Sequence, residues 1–210
     1  MKTVVVVSSI LFSLIVHAAI PKLEQKDFSS LIKTANDSSR PMTERWQSLV
    51  RAGEIAKSDQ IIKIQEFSKS SDWFMRNASL ISLETINANY AVEQAKILIQ
   101  DKALVVRSAA VTTLKKKNSL EIRRLLAAEL AKTYNFSGQQ SLWIRPQIME
   151  HLANTATASD RQFMARYLFD KDTKVVLQSI LALEKITSVE FSGPQKIQDW
   201  QKFVKENNWL

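Results

Sequence analysis

Few side chains in this sequence could support covalent or metal chemistry. Cysteine is absent, which excludes disulfides, thiolate metal ligands and a cysteine nucleophile. His17 and His151 are the only histidines, so a histidine-based metal site is nearly excluded. The carboxylates Glu150 and Asp160 fall in a helix or a loop, without a convergence that would indicate acid–base catalysis. The sequence also has no glycine-rich phosphate loop and no nucleophile elbow. We therefore expect a binding protein without cofactor or enzyme activity.

Recognition of a partner by charge is the next chemistry to consider. The chain has a formal net charge of +8, and residues 91–134 hold nine basic side chains against four acidic ones. The cluster that we call the basic turn consists of Lys115, Lys116, Lys117, Arg123 and Arg124. It could bind an acidic protein, an anionic lipid head group or an envelope polymer, or it could be a solvated turn. Nucleic acid is disfavoured because no aromatic residues for base stacking are interleaved with these charges.

The elements that position these residues form a repeat. Arg107 anchors the clearest unit, and similar patterns are anchored at Arg45, Arg76, Arg145 and Val176, in steps of 31, 31, 38 and 31 residues. Such a period is typical of α-solenoids, in which each helical pair is too small to bury its own apolar face. The low counts of glycine (3) and proline (4) also favour helices joined by short loops.

Apolar residues recur one position before the anchors and four and seven positions after them, which predicts one buried stripe on the second helix of each unit. This stripe comprises Met75, Val106, Ile144 and Val175, then Leu49, Leu80, Val111, Met149 and Ile180, then Ala52, Leu83, Leu114, Leu152 and Leu183. Glu44 is the polar exception. The first helices are predicted about ten residues earlier, with apolar residues around Ile64, Ala95, Leu126 and Met164.

Charged residues at fixed places in the units are expected to serve the structure. Aspartates just before the second helices can cap exposed backbone amides. They are Asp72, Asp101, Asp170 and Asp172. The anchors Arg76, Arg107 and Arg145 recur at one helical position, so we expect them to pair with the aspartates of adjacent turns in a ladder that supports packing.

The step of 38 residues contains an insertion, residues 134–143, which departs from the repeat. It carries Gly138 and the aromatic residues Phe136 and Trp143, for which we expect surface positions. Insertions in solenoids map to loops on one face, and that face is often the binding face. The alternative is a tolerated loop without a function.

Apolar residues also lie off the core stripe, one or five positions after the anchors. They are Trp46, Val50, Ile81, Leu177 and Leu181. In a solenoid the second helices line the concave surface, so an apolar run there would form a groove for a partner. Neighbouring helices are expected to cover Ile81 and Leu181, which leaves Trp46 as the best exposed member.

The first 18 residues resemble an export signal. Lys2 supplies the positive start, residues 3–16 form an apolar stretch, and Val16-His17-Ala18 is a small-residue cleavage site. Cleavage after Ala18 would give a protein outside the cytoplasm, in the periplasm or secreted. The alternative is an uncleaved anchor, although the apolar run is shorter than the roughly 20 residues that a spanning helix prefers.

The pattern Leu98-Ile99-Gln100-Asp101, followed by Val105-Val106-Arg107 and Ala109-Ala110, resembles HEAT repeats of the short bacterial kind also found in phycobilisome lyases. The resemblance covers about residues 40–186, and it is weaker where Glu44 and Pro146 depart from the pattern. It implies a right-handed α-solenoid of helical hairpins that acts as a binding scaffold, and it implies no reaction. Some HEAT-like solenoids act on alkylated DNA bases, which gives a base-acting DNA enzyme as a third hypothesis.

We therefore predict an all-α protein with four segments. They are a signal peptide at 1–18, an N-terminal capping helix with its linker at 19–41, HEAT-like repeats at 42–190 and a C-terminal capping helix at 191–210. The expected function is binding of another protein in the cell envelope by a monomer. The alternative is binding of an anionic polymer or lipid head group through the basic turn.

Overall fold

A computed structural model describes residues 27–210, and within this range the chain is helical apart from one short hairpin. The expected signal sequence and residues 19–26 lie outside the described residues. The helices are α1 (Phe28–Asn36), α2 (Met42–Ile55), α3 (Ile61–Glu66), α4 (Trp73–Ile86), α5 (Ala88–Leu98), α6 (Leu104–Lys115), α7 (Leu120–Glu129), α8 (Ile144–Asn154), α9 (Arg161–Tyr167), α10 (Thr173–Thr187) and α11 (Lys196–Glu206). The strands are β1 (Phe136–Ser137) and β2 (Gln140–Ser141), which pair antiparallel. The all-α prediction is confirmed.

The helices pack in consecutive pairs. α1 contacts α2, α3 contacts α4, α5 contacts α6, α7 contacts α8, and α9 contacts α10. The second helices of these pairs also contact one another in chain order, from α2 through α4, α6 and α8 to α10. The helix predicted as an N-terminal cap therefore pairs with α2 as the other first helices pair with their partners.

The buried core follows the predicted stripe. Every apolar residue assigned to it has an exposed fraction of 2% or less, while Glu44 is half-buried. The small residues Ser79, Ala110 and Ser179 are also fully buried, which lets neighbouring backbones approach. Burial of apolar area is the main stabilising contribution to such a fold.

The second helices α2 and α4 approach each other closely at Gly53. A Cβ atom added at Gly53 would lie 2.7 Å from Ser82 Cβ and 2.8 Å from Ser82 Cα. The Ser82 hydroxyl donates to the Leu49 carbonyl oxygen at 3.0 Å, so the crossing also carries a buried hydrogen bond. Glycine is thus required here for close packing and not for its backbone conformation.

Of the four aspartates predicted to cap second helices, Asp172 does so, Asp101 and Asp170 each accept at 2.8 Å from a backbone N–H in the turn before the helix, and Asp72 makes no capping bond. Asp27 accepts from Ser30 N at 2.7 Å at the start of α1, and Asp172 accepts from Lys174 N at 2.9 Å at the start of α10. Asp72 stands at the start of α4 but makes no side-chain capping bond, because its carboxylate pairs with Arg45. Pro146 is accommodated in the first turn of α8, where a missing N–H is not needed for the helix.

The C-terminal helix α11 contacts α10 and forms an aromatic cluster with the segments on either side of it. Trp200 is fully buried, and its ring makes edge contacts with Phe191 and Phe203 at centroid distances of 5.2 and 5.6 Å. Phe203 in turn contacts Trp209 at 5.2 Å. Within residues 27–210, no helix combines the length and the apolar character needed to cross a membrane.

Candidate functional site

The anchor arginines join each turn to the next one. Arg76 donates two hydrogen bonds to the Asp101 carboxylate, at 2.5 and 2.7 Å, and two more to the carbonyl oxygens of Ser70 and Ser71. Burial opposes ionisation of Asp101, but hydrogen bonds from Arg76 and from Ala103 N outweigh it, so the pKa of Asp101 is lowered. The predicted arginine–aspartate ladder is confirmed at this position.

The same contact recurs on both sides of this pair. Arg145 donates to both oxygens of Asp170, at 2.5 and 3.1 Å, and Arg45 contacts Asp72 at 2.9 Å. We call these contacts, together with the one between Arg76 and Asp101, the arginine ladder. These contacts hold the anchor arginines between neighbouring turns, as the repeat predicts.

Arg107 is where the ladder prediction is wrong. Its guanidinium, in a residue only 3% exposed, donates to Asn135 Oδ1 at 3.0 Å and to the Tyr134 carbonyl oxygen at 2.7 Å. The insertion displaces the turn that would bring an aspartate here, so a neutral amide takes its place. Glu129 lies nearby but accepts from the Tyr134 hydroxyl at 2.6 Å, and burial together with this hydrogen bond raises the pKa of Tyr134.

The lysines of the basic turn are largely compensated. Lys115 Nζ lies 3.2 Å from Glu150 Oε2, and Lys116 Nζ lies 2.9 Å from Glu84 Oε2. Lys117 donates to the Asn89 side-chain oxygen at 3.3 Å. These partners come from α8, from the end of α4 and from the first turn of α5.

The two arginines of the basic turn differ from each other. Arg123 lies 2.8 Å from Asp160 Oδ2 and also donates to the Thr155 hydroxyl. Arg124 is exposed and makes no ion pair within residues 27–210. Since three of the five cations are paired with carboxylates, the basic turn is not one uncompensated positive surface.

Of the residues predicted to form an apolar groove, Trp46 lines a cavity at the N-terminal end of the row of second helices. Trp46 is half-buried and donates from its indole N–H to Asn77 Oδ1 at 3.2 Å. It lines a cavity of about 430 Å³ between α2 and α4 together with Met42, Trp73 and Phe74. We call this the α2–α4 groove. Met42 is 49% exposed and Trp73 is 43% exposed, so both are more accessible than Trp46.

The remaining apolar residues of that face do not extend the groove. Val50 and Ile81 are half-buried against the core. Leu181, which we expected to be covered, is 54% exposed because α10 is the last second helix of the row. Between the two ends, Gln147 on α8 donates to the Ser108 carbonyl oxygen on α6 at 3.2 Å, so the middle of the face is polar.

Met42 and Trp73 are functional candidates that the sequence reasoning missed. Each stands three positions before an anchor, so that Met42 lies one helical turn before Trp46 and Trp73 lies two turns before Ile81. The helical period of about 3.6 residues places positions four apart on the same face. This signal was available in the sequence.

The insertion forms an ordered hairpin and not an irregular loop. Gly138 has a φ of +59° at its tip, a conformation that favours glycine. Phe136 is half-buried beneath the Arg145 guanidinium, 4.3 Å from the ring centroid, while Trp143 is 58% exposed. Of the two expected surface aromatics, only Trp143 is exposed. Both line a cavity of about 470 Å³.

The side chains that could do chemistry are held in structural contacts. His151 is 6% exposed, and burial, followed by the charges of Lys115 and Arg123, lowers its pKa. Its Nε2 atom has no hydrogen-bond partner within residues 27–210. Glu150 and Asp160 are engaged by the same two cations. Among the described residues, no three histidine, aspartate or glutamate side chains are grouped so that they could hold a metal ion.

No protein-family model matches the chain, and a comparison with curated proteins gives no significant match.

Proposed function

We propose that this chain is a right-handed α-solenoid of HEAT-like hairpins that is exported and binds another protein in the cell envelope. Two observations support the architecture. The second helices contact one another in chain order, and the arginine ladder repeats one contact from pair to pair. Such arrays present extended surfaces that are suited to binding.

The observation that carries the binding role is the α2–α4 groove. It places Met42, Trp46, Trp73 and Phe74 around one depression, and two of these four, Met42 and Trp73, are exposed. Tryptophan is enriched among the residues that dominate binding energy at protein interfaces. The polar residues Thr43, Gln47 and Asn77 complete the lining, and Asn77 already accepts from the Trp46 indole. An apolar side chain of a partner would complete this surface.

Binding of an anionic polymer or lipid head group through the basic turn has weaker support. Lys115, Lys116 and Arg123 are paired with carboxylates, so attraction of an anion would compete with contacts already made. A base-acting DNA enzyme has weaker support again, because Glu150 and Asp160 are engaged by Lys115 and Arg123. We therefore propose binding and not catalysis.

Cross-linked pulldown from envelope fractions tests the proposal. The variants Met42→Ala and Trp73→Ala change exposed side chains and leave the core intact. We expect each to reduce recovery of the partner by about tenfold or more, which corresponds to about 1.4 kcal/mol of binding energy. Recovery by the wild type should persist at raised salt, because apolar contacts are not screened.

The matched control is Ile97→Ala on α5, which removes a side chain that is 69% exposed and does not line the groove. Full recovery by Trp73→Ala, together with loss in a charge-reversed Lys115 to Lys117 variant, would refute the groove and favour the basic turn. N-terminal sequencing of the native protein tests export, since a chain beginning after Ala18 excludes a cytoplasmic DNA enzyme.

A further inference from the structure

A second cavity lies in the C-terminal half of the chain and shares no lining residue with the α2–α4 groove. It has a volume of about 470 Å³ and is formed by the insertion hairpin and the start of α10. This volume falls within the range of about 300–1,000 Å³ that is typical of small-molecule sites. Its exposed aromatic side chain is Trp143, which stands immediately before α8.

Neutral polar side chains supply part of the remaining lining. Gln139 and Gln140 come from the hairpin tip and β2, Ser141 follows in β2, and Thr173 begins α10. Amides and hydroxyls can each donate and accept hydrogen bonds. The Ser141 hydroxyl is already bound by Arg145 and Gln139 Oε1 by Lys171, which leaves the Gln140 amide, the Gln139 NH₂ group and the Thr173 hydroxyl for a ligand.

The charge at this cavity is net positive, because Lys171 and Lys174 outnumber the lining carboxylate of Asp172 once Arg145 is paired with Asp170. Lys171 and Lys174 both line it, and neither makes an ion pair within residues 27–210. Lys171 donates to Gln139 Oε1 at 2.7 Å, which holds its ammonium group beside the hairpin. The charge of Arg145 is matched by Asp170, and the Asp172 carboxylate already caps α10.

We infer that this cavity binds an acidic saccharide. The flat Trp143 indole offers an apolar face on which the C–H face of a sugar ring can stack. The amides of Gln139 and Gln140 can bind neighbouring hydroxyls as both donors and acceptors. The ammonium groups of Lys171 and Lys174, neither of which is paired with a carboxylate within residues 27–210, can bind the carboxylate of the sugar by charge-assisted hydrogen bonds.

The lining favours a saccharide over an acidic peptide. A peptide segment with apolar side chains would need an apolar pocket beside its carboxylate, but Phe136 is covered by Arg145 and one exposed indole remains. The site also differs in place and chemistry from the α2–α4 groove. The inference therefore stands independently of the protein-binding role proposed above.

Titration calorimetry of the full chain with tetragalacturonic acid tests the inference, with indole resonances in ¹H–¹⁵N spectra as a second readout. Cellotetraose is the neutral probe and tetraglutamate the peptide probe. We expect saturable binding of tetragalacturonic acid, weaker binding of cellotetraose, and a shift of the Trp143 indole resonance. Trp143→Ala should weaken binding by about tenfold or more, whereas Trp143→Phe should retain most of it.

The charge contribution has its own matched pair of variants. Lys171→Gln combined with Lys174→Gln should weaken tetragalacturonic acid binding by about fivefold and leave cellotetraose binding unchanged. Lys63→Gln combined with Lys69→Gln makes the same change in net charge away from the cavity and should have no effect. Absence of saturable binding up to about 10 mM, equal binding by Trp143→Ala, or tighter binding of tetraglutamate would each overturn the inference.

Discussion

Replacing Asp101 by asparagine removes the negative charge from the best-defined contact of the arginine ladder. In the wild type the carboxylate accepts two hydrogen bonds from Arg76, and both side chains are less than a tenth exposed. Asparagine keeps the shape and one acceptor oxygen, so Arg76 would lose its counter-charge and one of its hydrogen bonds. The carbonyl oxygens of Ser70 and Ser71 would remain as acceptors for Arg76.

The expected loss of stability follows from the fact that Arg76 keeps part of its hydrogen bonds. Removing one partner of a buried ion pair costs about 3–5 kcal/mol, because a charge is left buried without its partner. Since the remaining carbonyl oxygens offset part of that cost, we expect Asp101→Asn to destabilise the protein by about 2–3 kcal/mol. For a chain of this size, such a loss lowers Tm by about 4–12 °C.

The effect also has a defined pH dependence. Burial opposes ionisation, but hydrogen bonds from Arg76 and Ala103 N outweigh it, so the pKa of Asp101 is lowered in the folded state. The unfolded chain binds a proton at about pH 3.9, before the folded chain does. The contribution of the Asp101 carboxylate to stability is therefore fully present above that pH, and it is lost as the pH falls through the pKa of Asp101 in the folded state. Asp101→Asn should remove this part of the acid sensitivity.

Urea unfolding followed by circular dichroism, at pH 7 and at steps down to pH 3, measures both effects. The control is Glu44→Gln, which breaks an exposed pair with Arg40 and should cost less than about 1 kcal/mol. If Asp101→Asn cost no more than this control, or if its stability kept the wild-type pH dependence, the ladder would not be a stabilising feature.

Two further predictions concern packing and protonation. Gly53→Ala forces a Cβ against the backbone of Ser82 and should lower the free energy of unfolding in urea by about 1–3 kcal/mol. At Gly138 an added Cβ meets no atom within 4 Å, so Gly138→Ala should lower it by about 1–2 kcal/mol through the left-handed backbone conformation alone. A Gly53→Ala variant as stable as the wild type would contradict the close approach of the two helices. Burial, followed by the neighbouring positive charges, lowers the pKa of His151 in the folded state. As the pH falls, His151 is therefore protonated in the unfolded chain before it is protonated in the folded chain, and stability should fall below about pH 6.5. His151→Gln should flatten that slope, and an unchanged slope would show that another group is responsible.

The core could be predicted from the sequence because it depends on a period. Residues four and seven positions after each anchor fall on one helix face wherever the helix lies, so their burial follows from the spacing alone. The order of the helices and the pairing of Arg76 with Asp101 follow from the same repetition. The exception is informative, since at Arg107 the insertion breaks the period and Asn135 replaces the expected aspartate.

The binding surfaces were harder to predict because they depend on contacts between units. Lys116 looks like a free cation in the sequence, and its partner Glu84 stands 32 residues earlier on a different helix. Lys171 and Lys174 look like ordinary solvated charges, and only the fold brings them beside the hairpin that carries Trp143. Side-chain types were therefore recognised, but the sequence did not show which of them remain uncompensated.

The contact between Arg107 and the neutral Asn135 side chain affects how the molecule would unfold in acid. Protonation of a carboxylate weakens the contacts that Arg45, Arg76 and Arg145 make with aspartates, but it leaves an amide unchanged. In acid, the contacts of Arg45, Arg76 and Arg145 with their aspartates would therefore weaken first. The contact between Arg107 on α6 and Asn135 of the insertion would remain. The insertion thus gives the chain a central contact that does not depend on pH. Acid unfolding would then proceed from the two ends of the row of helices towards this contact.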